Sequence, residues 1–150
     1  MPASKKKTAP SNATALVIVH VSSVDSYADQ IGQEAGESLA HSIINAVRKH
    51  RGPVYIVDQG WDGPLENMIK SAVATVPVTW IRFDEDIHDW DTFLPKLKRR
   101  LTRDHVGRVV IGGVWYDPTL ETGCATKVYL YLLPSFPTEV DKSIVGCFDD

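Results

Sequence analysis

Four side chains able to move a proton, hold an anion or attack a carbonyl stand where apolar runs end: His20, Asp58, Arg82 and Thr119. An imidazole titrates near neutral pH, so His20 is a candidate general base, or else a strand-end histidine satisfied by backbone. Arg82 could grip a carboxylate or phosphate with its planar fork, or pair structurally with Asp84, Asp86 or Asp117. Thr119 could be a hydroxyl nucleophile if a base lay beside it, or the cap of the helix expected to follow. Backbone amides near Thr119 to Glu121 could hold an anion or oxyanion at that helix start. Trp61, Trp115 and Tyr116, with Asp58 and Asp117, are the candidate ligand-contacting residues around the same crevice, and Trp90 is a further aromatic near a loop. Asp84, Asp86, His88, Asp89 and Asp91 could ligate a metal. The same residues suit an acidic loop and first helical turn favoured by the helix dipole, and no metal site is expected. Cys124 reads as a buried, inert thiol one to two turns inside a helix.

The elements that must position these residues follow from periodicity. Ala13 to Val21 is a continuous β-branched run, the pattern of a strand buried on both faces. Ser22 to Ser26 reads as a loop. Ile31, Ala35, Leu39, Ile43 and Val47 then recur at helical spacing from about Asp29 to His50, and Gly52-Pro53 stops that helix. Val54 to Val57 is a second strand ending in the turn-rich segment Asp58 to Pro64. Leu65 to Val73 reads as a short helix, and Val76 to Arg82 as a third strand with Pro77 at its start. Asp89 to Arg103 is a helix with basic residues in its last turns, in which Pro95 is tolerable only in the first turn. Arg108 to Gly112 or Gly113 is the fourth strand, and Thr119 to Leu132 the helix after it. Phe136 to Val140 or slightly beyond is a fifth strand, with no clear element after it. Alternating β and α with short links implies an α/β three-layer sandwich with a mostly parallel sheet of five or six strands. In such sheets ligands bind at the carboxyl ends of the strands.

The chain has 150 residues, 43% of them hydrophobic and 23% charged, with a formal charge of -3. This suits one domain over residues 13–150, preceded by a disordered tail over residues 1–12 that carries Lys5, Lys6 and Lys7. No global basic field favours nucleic acid, which is expected as a partner only through that lysine tail. No apolar run is long enough to span a membrane, and no secretory signal is apparent. Two cysteines without metal-type spacing suit reduced thiols in a cytoplasm. No GxGxxG, GxxxxGK[ST] or HExxH pattern is present, and no cofactor is expected.

With its strands in order, the chain resembles the isochorismatase-like cysteine hydrolases, which include nicotinamidases, over about Ala13 to Val145. The best local match is Gly113-Val114-Trp115-Tyr116-Asp117-Pro118-Thr119-Leu120-Glu121. There the family places Gly-Val, four further residues, then its nucleophilic cysteine. The resemblance implies a Rossmann-like, isochorismatase-like fold and puts His20 at the family's catalytic Asp, Arg82 at its Lys and Thr119 at its Cys. Cys124 lies five positions past the expected cysteine. The family's Asp-x-His metal pair is absent after the second strand, where Asp58 is followed by Gln59, Gly60 and Trp61. Asp86-Ile87-His88 has the spelling but follows the third. With all three catalytic types replaced, the expectation is a catalytically degenerate member serving as a ligand-binding, partner-binding or assembly subunit, taking a small-molecule ligand and forming a homo-oligomer. The alternative is an active hydrolase of a small amide, ester or enol ether using a rearranged His20/Arg82/Thr119 site.

Overall fold

In the computed structural model, residues 13–58, 60–82 and 90–148 are described. The lysine tail and the acidic segment Asp84 to Asp89 lie outside them, as do the expectations that rest on them. Five strands form one parallel sheet: β1 Ala13–Val19, β2 Val54–Asp58, β3 Thr79–Arg82, β4 Val106–Tyr116 and β5 Thr138–Cys147. Their order across the sheet is β3-β2-β1-β4-β5. Central β1 is buried on both faces, as its unbroken apolar run requires. Ala15, Val17 and Val19 join a core with Phe93, Leu97, Leu101, Val128 and Leu132. Leu16 and Ile18 point the other way, into a core with Val24, Leu39, Ile43, Val47 and Ile69. The first core lies under α4 (Trp90–Arg103) and α5 (Cys124–Leu132). The second lies under α1 (Ser23–Ile31), α2 (Gln33–Lys49) and α3 (Pro64–Ala72). The three-layer α/β sandwich expected from the alternation is thus present.

Several boundaries differ from the sequence reading, each for a local reason. The expected single helix from Asp29 to His50 is two, and it starts earlier: Ser23 opens α1, so the expected loop is only a short turn. Gly32, at φ 141°, divides α1 from α2 while the apolar spacing runs on across it. Pro95 sits in the second turn of α4, not the first. The missing amide there deprives the carbonyl of Asp91, an exposed residue that water can reach. Strand β3 is shorter than Val76 to Arg82. Strand β5 is longer than expected and reaches Cys147, its pairing with β4 shifting register between Ile111 and Gly113 where Ser143 folds back onto Asp141. The largest difference is at α5, which begins at Cys124 rather than Thr119. No described helix is long and apolar enough to cross a membrane.

Candidate functional site

The strand register brings the candidate residues to one edge of the sheet. Val19 pairs with Gly113 and with Val57, and Asp58 pairs with Arg82. His20, one residue past β1, adopts a left-handed turn at φ 53°, and its carbonyl accepts from the Ser23 amide at the start of α1. The turn tucks the imidazole inward until it is 1% exposed. The Trp90 ring meets it edge-on, with centroids 6.1 Å apart. Burial lowers the pKa of His20 from 6.5 to about 4, against the raising pull of Asp58. His20 therefore stays neutral at physiological pH. Because its folded pKa lies below the unfolded one, its contribution to stability is complete above about pH 6.5 and is lost as pH falls toward 4. An NMR titration of the His20 ring should show a midpoint near 4; a midpoint above 6 would contradict this burial argument.

Asp58 does not stand alone. Lys70 Nζ lies 2.9 Å from Asp58 Oδ2 and 2.7 Å from Glu66 Oε2. Glu66 is fully buried. Although burial pushes Asp58 up, the Lys70 ammonium and the Gly60 amide hold its pKa below the usual range. Burial likewise acts to lower Lys70, but the two carboxylates raise it overall. A charge this deep is tolerated only when paired on the spot. The helix that presents Glu66 and Lys70 is pinned from a distance: Asp25 of α1 accepts from the amides of Leu65 and Glu66 at 2.9 and 3.0 Å, capping the start of α3. Asp58, Lys70, Trp80 and Arg82 share a small hollow of about 300 Å³.

Thr119 lies elsewhere in character. It is exposed, in a turn between β4 and α5 that Asp117 organises. The Thr119 hydroxyl and amide donate to Asp117 Oδ1 at 2.7 and 2.9 Å, and the amides of Glu121 and Thr122 donate to Oδ2. These bonds, led by that hydroxyl, lower the pKa of Asp117. The carboxylate is thus engaged within its own turn, and Thr119 does not cap α5, whose N-cap is Gly123. Cys124 correspondingly opens α5 instead of lying inside it. Its thiol packs at the margin of the α4/α5 core, and burial pushes its pKa up despite Lys127 nearby. The Trp90 ring is 4.9 Å from Lys127 Nζ. Trp90 thus contacts both His20 and Lys127 of α5.

The remaining candidates separate by face. Tyr116 is buried in the α4/α5 core. Trp115 points to the opposite layer, where it stacks on Phe148 at 4.8 Å and tilts against Tyr27 at 5.4 Å. Trp61 is exposed. Arg82 is also exposed, and among the described residues no carboxylate lies within 4 Å of it. No group of three metal-type ligands occurs among the described residues, and neither cysteine forms a disulfide.

No protein-family model matches the sequence, and no curated protein matches it either. Among solved structures, the MAR1 ribonuclease from Caenorhabditis elegans superposes with a TM-score of 0.54. The two are 17% identical, and the match covers 95% of this chain and 68% of that one. The fold is isochorismatase-like. At that identity the likeness is one of fold. Within the isochorismatase-like frame, the edge of the sheet holds His20, Asp58 and Arg82, whereas Thr119 is held out in the Asp117 turn. Sequence reading passed over Glu66 and Lys70, although their four-residue spacing on a helix was a usable signal. It also passed over Asp25, whose partners are 40 residues away, and gave Lys127 no role.

Proposed function

We propose that this isochorismatase-like protein is catalytically degenerate and works as a ligand-binding, partner-binding or assembly subunit. One observation carries the reading: the Thr119 hydroxyl donates to Asp117 in an exposed turn, while the buried neutral His20 is covered by Trp90. A nucleophile needs a base within hydrogen-bond reach, and the carboxylate beside Thr119 has its lone pairs occupied by three backbone amides as well. Arg82 is always protonated and cannot shuttle a proton as a lysine can.

A second reading, an active thiol hydrolase, is favoured by the place of Cys124 at the start of α5. A helix N-terminus stabilises a thiolate, but burial outweighs that here and raises the thiol pKa. Two measurements separate the readings. Purified protein should turn over no nicotinamide-like amide or small ester, and Thr119→Ala should change nothing. Iodoacetamide should label Cys124, identified by comparison with Cys124→Ser, more slowly at pH 7 than an unhindered cysteine. Turnover lost in Thr119→Ala or Cys124→Ser, or rapid labelling of Cys124 at neutral pH, would overturn the degenerate reading.

A further inference from the structure

The net charge of -3 conceals a concentrated basic surface. Helix α4 carries Lys96, Lys98, Arg99, Arg100 and Arg103 within eight residues. On one side of this helix a groove of about 510 Å³ runs between α4 and edge strand β3, lined by Trp80, Arg82, Lys96, Arg99, Arg100 and Arg103. Across the helix a second groove of about 610 Å³ is lined by Lys98, Thr102 and Tyr131, and shares Arg99 and Arg103 with the first. Those two arginines thus form a ridge with an aromatic residue on either side.

A dipole-complementing helix end accounts for some of this charge. Arg100 and Arg103 do pair with Asp104, at 3.1 and 3.6 Å. Among the described residues, however, no carboxylate lies within 4 Å of Arg82, Lys96 or Arg99. Trp80 is 43% exposed within this basic setting instead of packing into a core. Guanidinium groups suit phosphates, and an exposed indole beside them suits the face of a base. A cationic ridge flanked by two aromatics repeats that pairing along the surface. Lys96 to Arg103 spans about 10 Å of helix, which suits a strand a few nucleotides long better than one phosphate group.

We propose that the β3/α4 face binds single-stranded nucleic acid, with phosphates along the Arg99–Arg103 ridge and Arg82, and a base stacked on Trp80. The site adjoins the His20 crevice, sharing Trp80 and Arg82 with the Asp58 hollow, but the inference does not depend on whether that crevice is catalytic.

The test uses the full chain with Lys5, Lys6 and Lys7 changed to alanine, so that the tail cannot contribute. A fluorescein-labelled oligouridylate of twelve nucleotides is titrated and followed by anisotropy. If about three phosphates are contacted, affinity should fall roughly 15-fold between 50 and 200 mM salt. Arg99→Ala/Arg103→Ala, both exposed positions, should weaken binding at least tenfold and flatten the salt dependence. Trp80→Ala should weaken it about fivefold or more and abolish tryptophan quenching, while leaving the salt dependence unchanged. Folding of each variant is checked by its thermal transition. No binding in low salt would overturn the proposal, and so would binding indifferent to Arg99→Ala/Arg103→Ala. Heparin or anionic vesicles bound as tightly, with Trp80→Ala neutral, would identify a general polyanion surface and equally overturn it. Binding of a duplex in preference to the single strand would do the same.

Discussion

Gly113→Ala is expected to be the most damaging small substitution in the chain, costing about 4 kcal/mol or more and leaving little folded protein at 37 °C. Gly113 has φ 107°, a conformation that a residue with a Cβ rarely adopts. A Cβ there would overlap the carbonyl oxygen of Val19 and come within 2.5 Å of its amide nitrogen. Both are backbone atoms of the central strand, paired to Gly113 itself, so neither can move aside without breaking the β1–β4 ladder. The neighbouring Gly112→Ala is the control. Its Cβ would press on the ends of Ile144 and Ile18, which are side chains that can rotate, so overpacking there should cost about 1–3 kcal/mol. Urea denaturation of the two variants should therefore separate them clearly. Equal losses would mean that backbone approach at Gly113 is not what the position requires. The same approach lays β4 against β1 just before the His20 turn, so the glycine pair acts through the geometry of the crevice, not by contacting a ligand.

What could be read from the sequence, and what could not, follows the range of the interactions. Ala13 to Val19 declares a two-faced buried strand through its own run of residues, and the α3 and α4 boundaries follow from local apolar spacing. The split at Gly32 is hidden because Ile31, Ala35 and Leu39 keep helical spacing across it. The start of α5 is misplaced for a comparable reason. Leu120 extends the apolar pattern toward Thr119, yet it is exposed at φ 65° in the Asp117 turn. Gly123 was the better boundary signal. For the site, position alone marked His20, Asp58 and Arg82, because they end their strands. The environment of each side chain was not legible. The depth of His20 depends on Trp90 from α4, and the charge on Asp58 depends on Lys70 from α3. The α3 start depends on Asp25 from α1. Each of these is a contact between elements that the chain joins only after folding.

Lys70→Ala should show how strongly the crevice depends on such a contact. The substitution leaves Asp58 and fully buried Glu66 close together without the ammonium that lies 2.9 and 2.7 Å from them. Breaking a fully buried pair typically costs about 3–5 kcal/mol. Lys70 is 27% exposed, so solvent screening reduces the expected loss to roughly 2–4 kcal/mol at pH 7. The size of that loss should also depend on pH. In the native protein the folded pKa of Asp58 is lowered, so its contribution to stability is present above the unfolded value of about 3.9 and is lost as pH falls through the folded one. In Lys70→Ala, Asp58 keeps the burial that raises its pKa and loses the ammonium that lowers it, so in the folded state it takes up a proton at a pH where the unfolded chain still holds none. Folding then binds a proton at that site, so the loss relative to the native protein shrinks as the solution is acidified from pH 7 toward about pH 5, the falling His20 contribution being common to both proteins. Adding Asp58→Asn removes one of the opposed charges, so the double variant should regain part of the loss and give a flatter profile. Denaturation midpoints for the three proteins at pH 5 and pH 7 decide the matter. A stability loss from Lys70→Ala that is as large at pH 5 as at pH 7 would mean that Asp58 and Glu66 are not held together by Lys70.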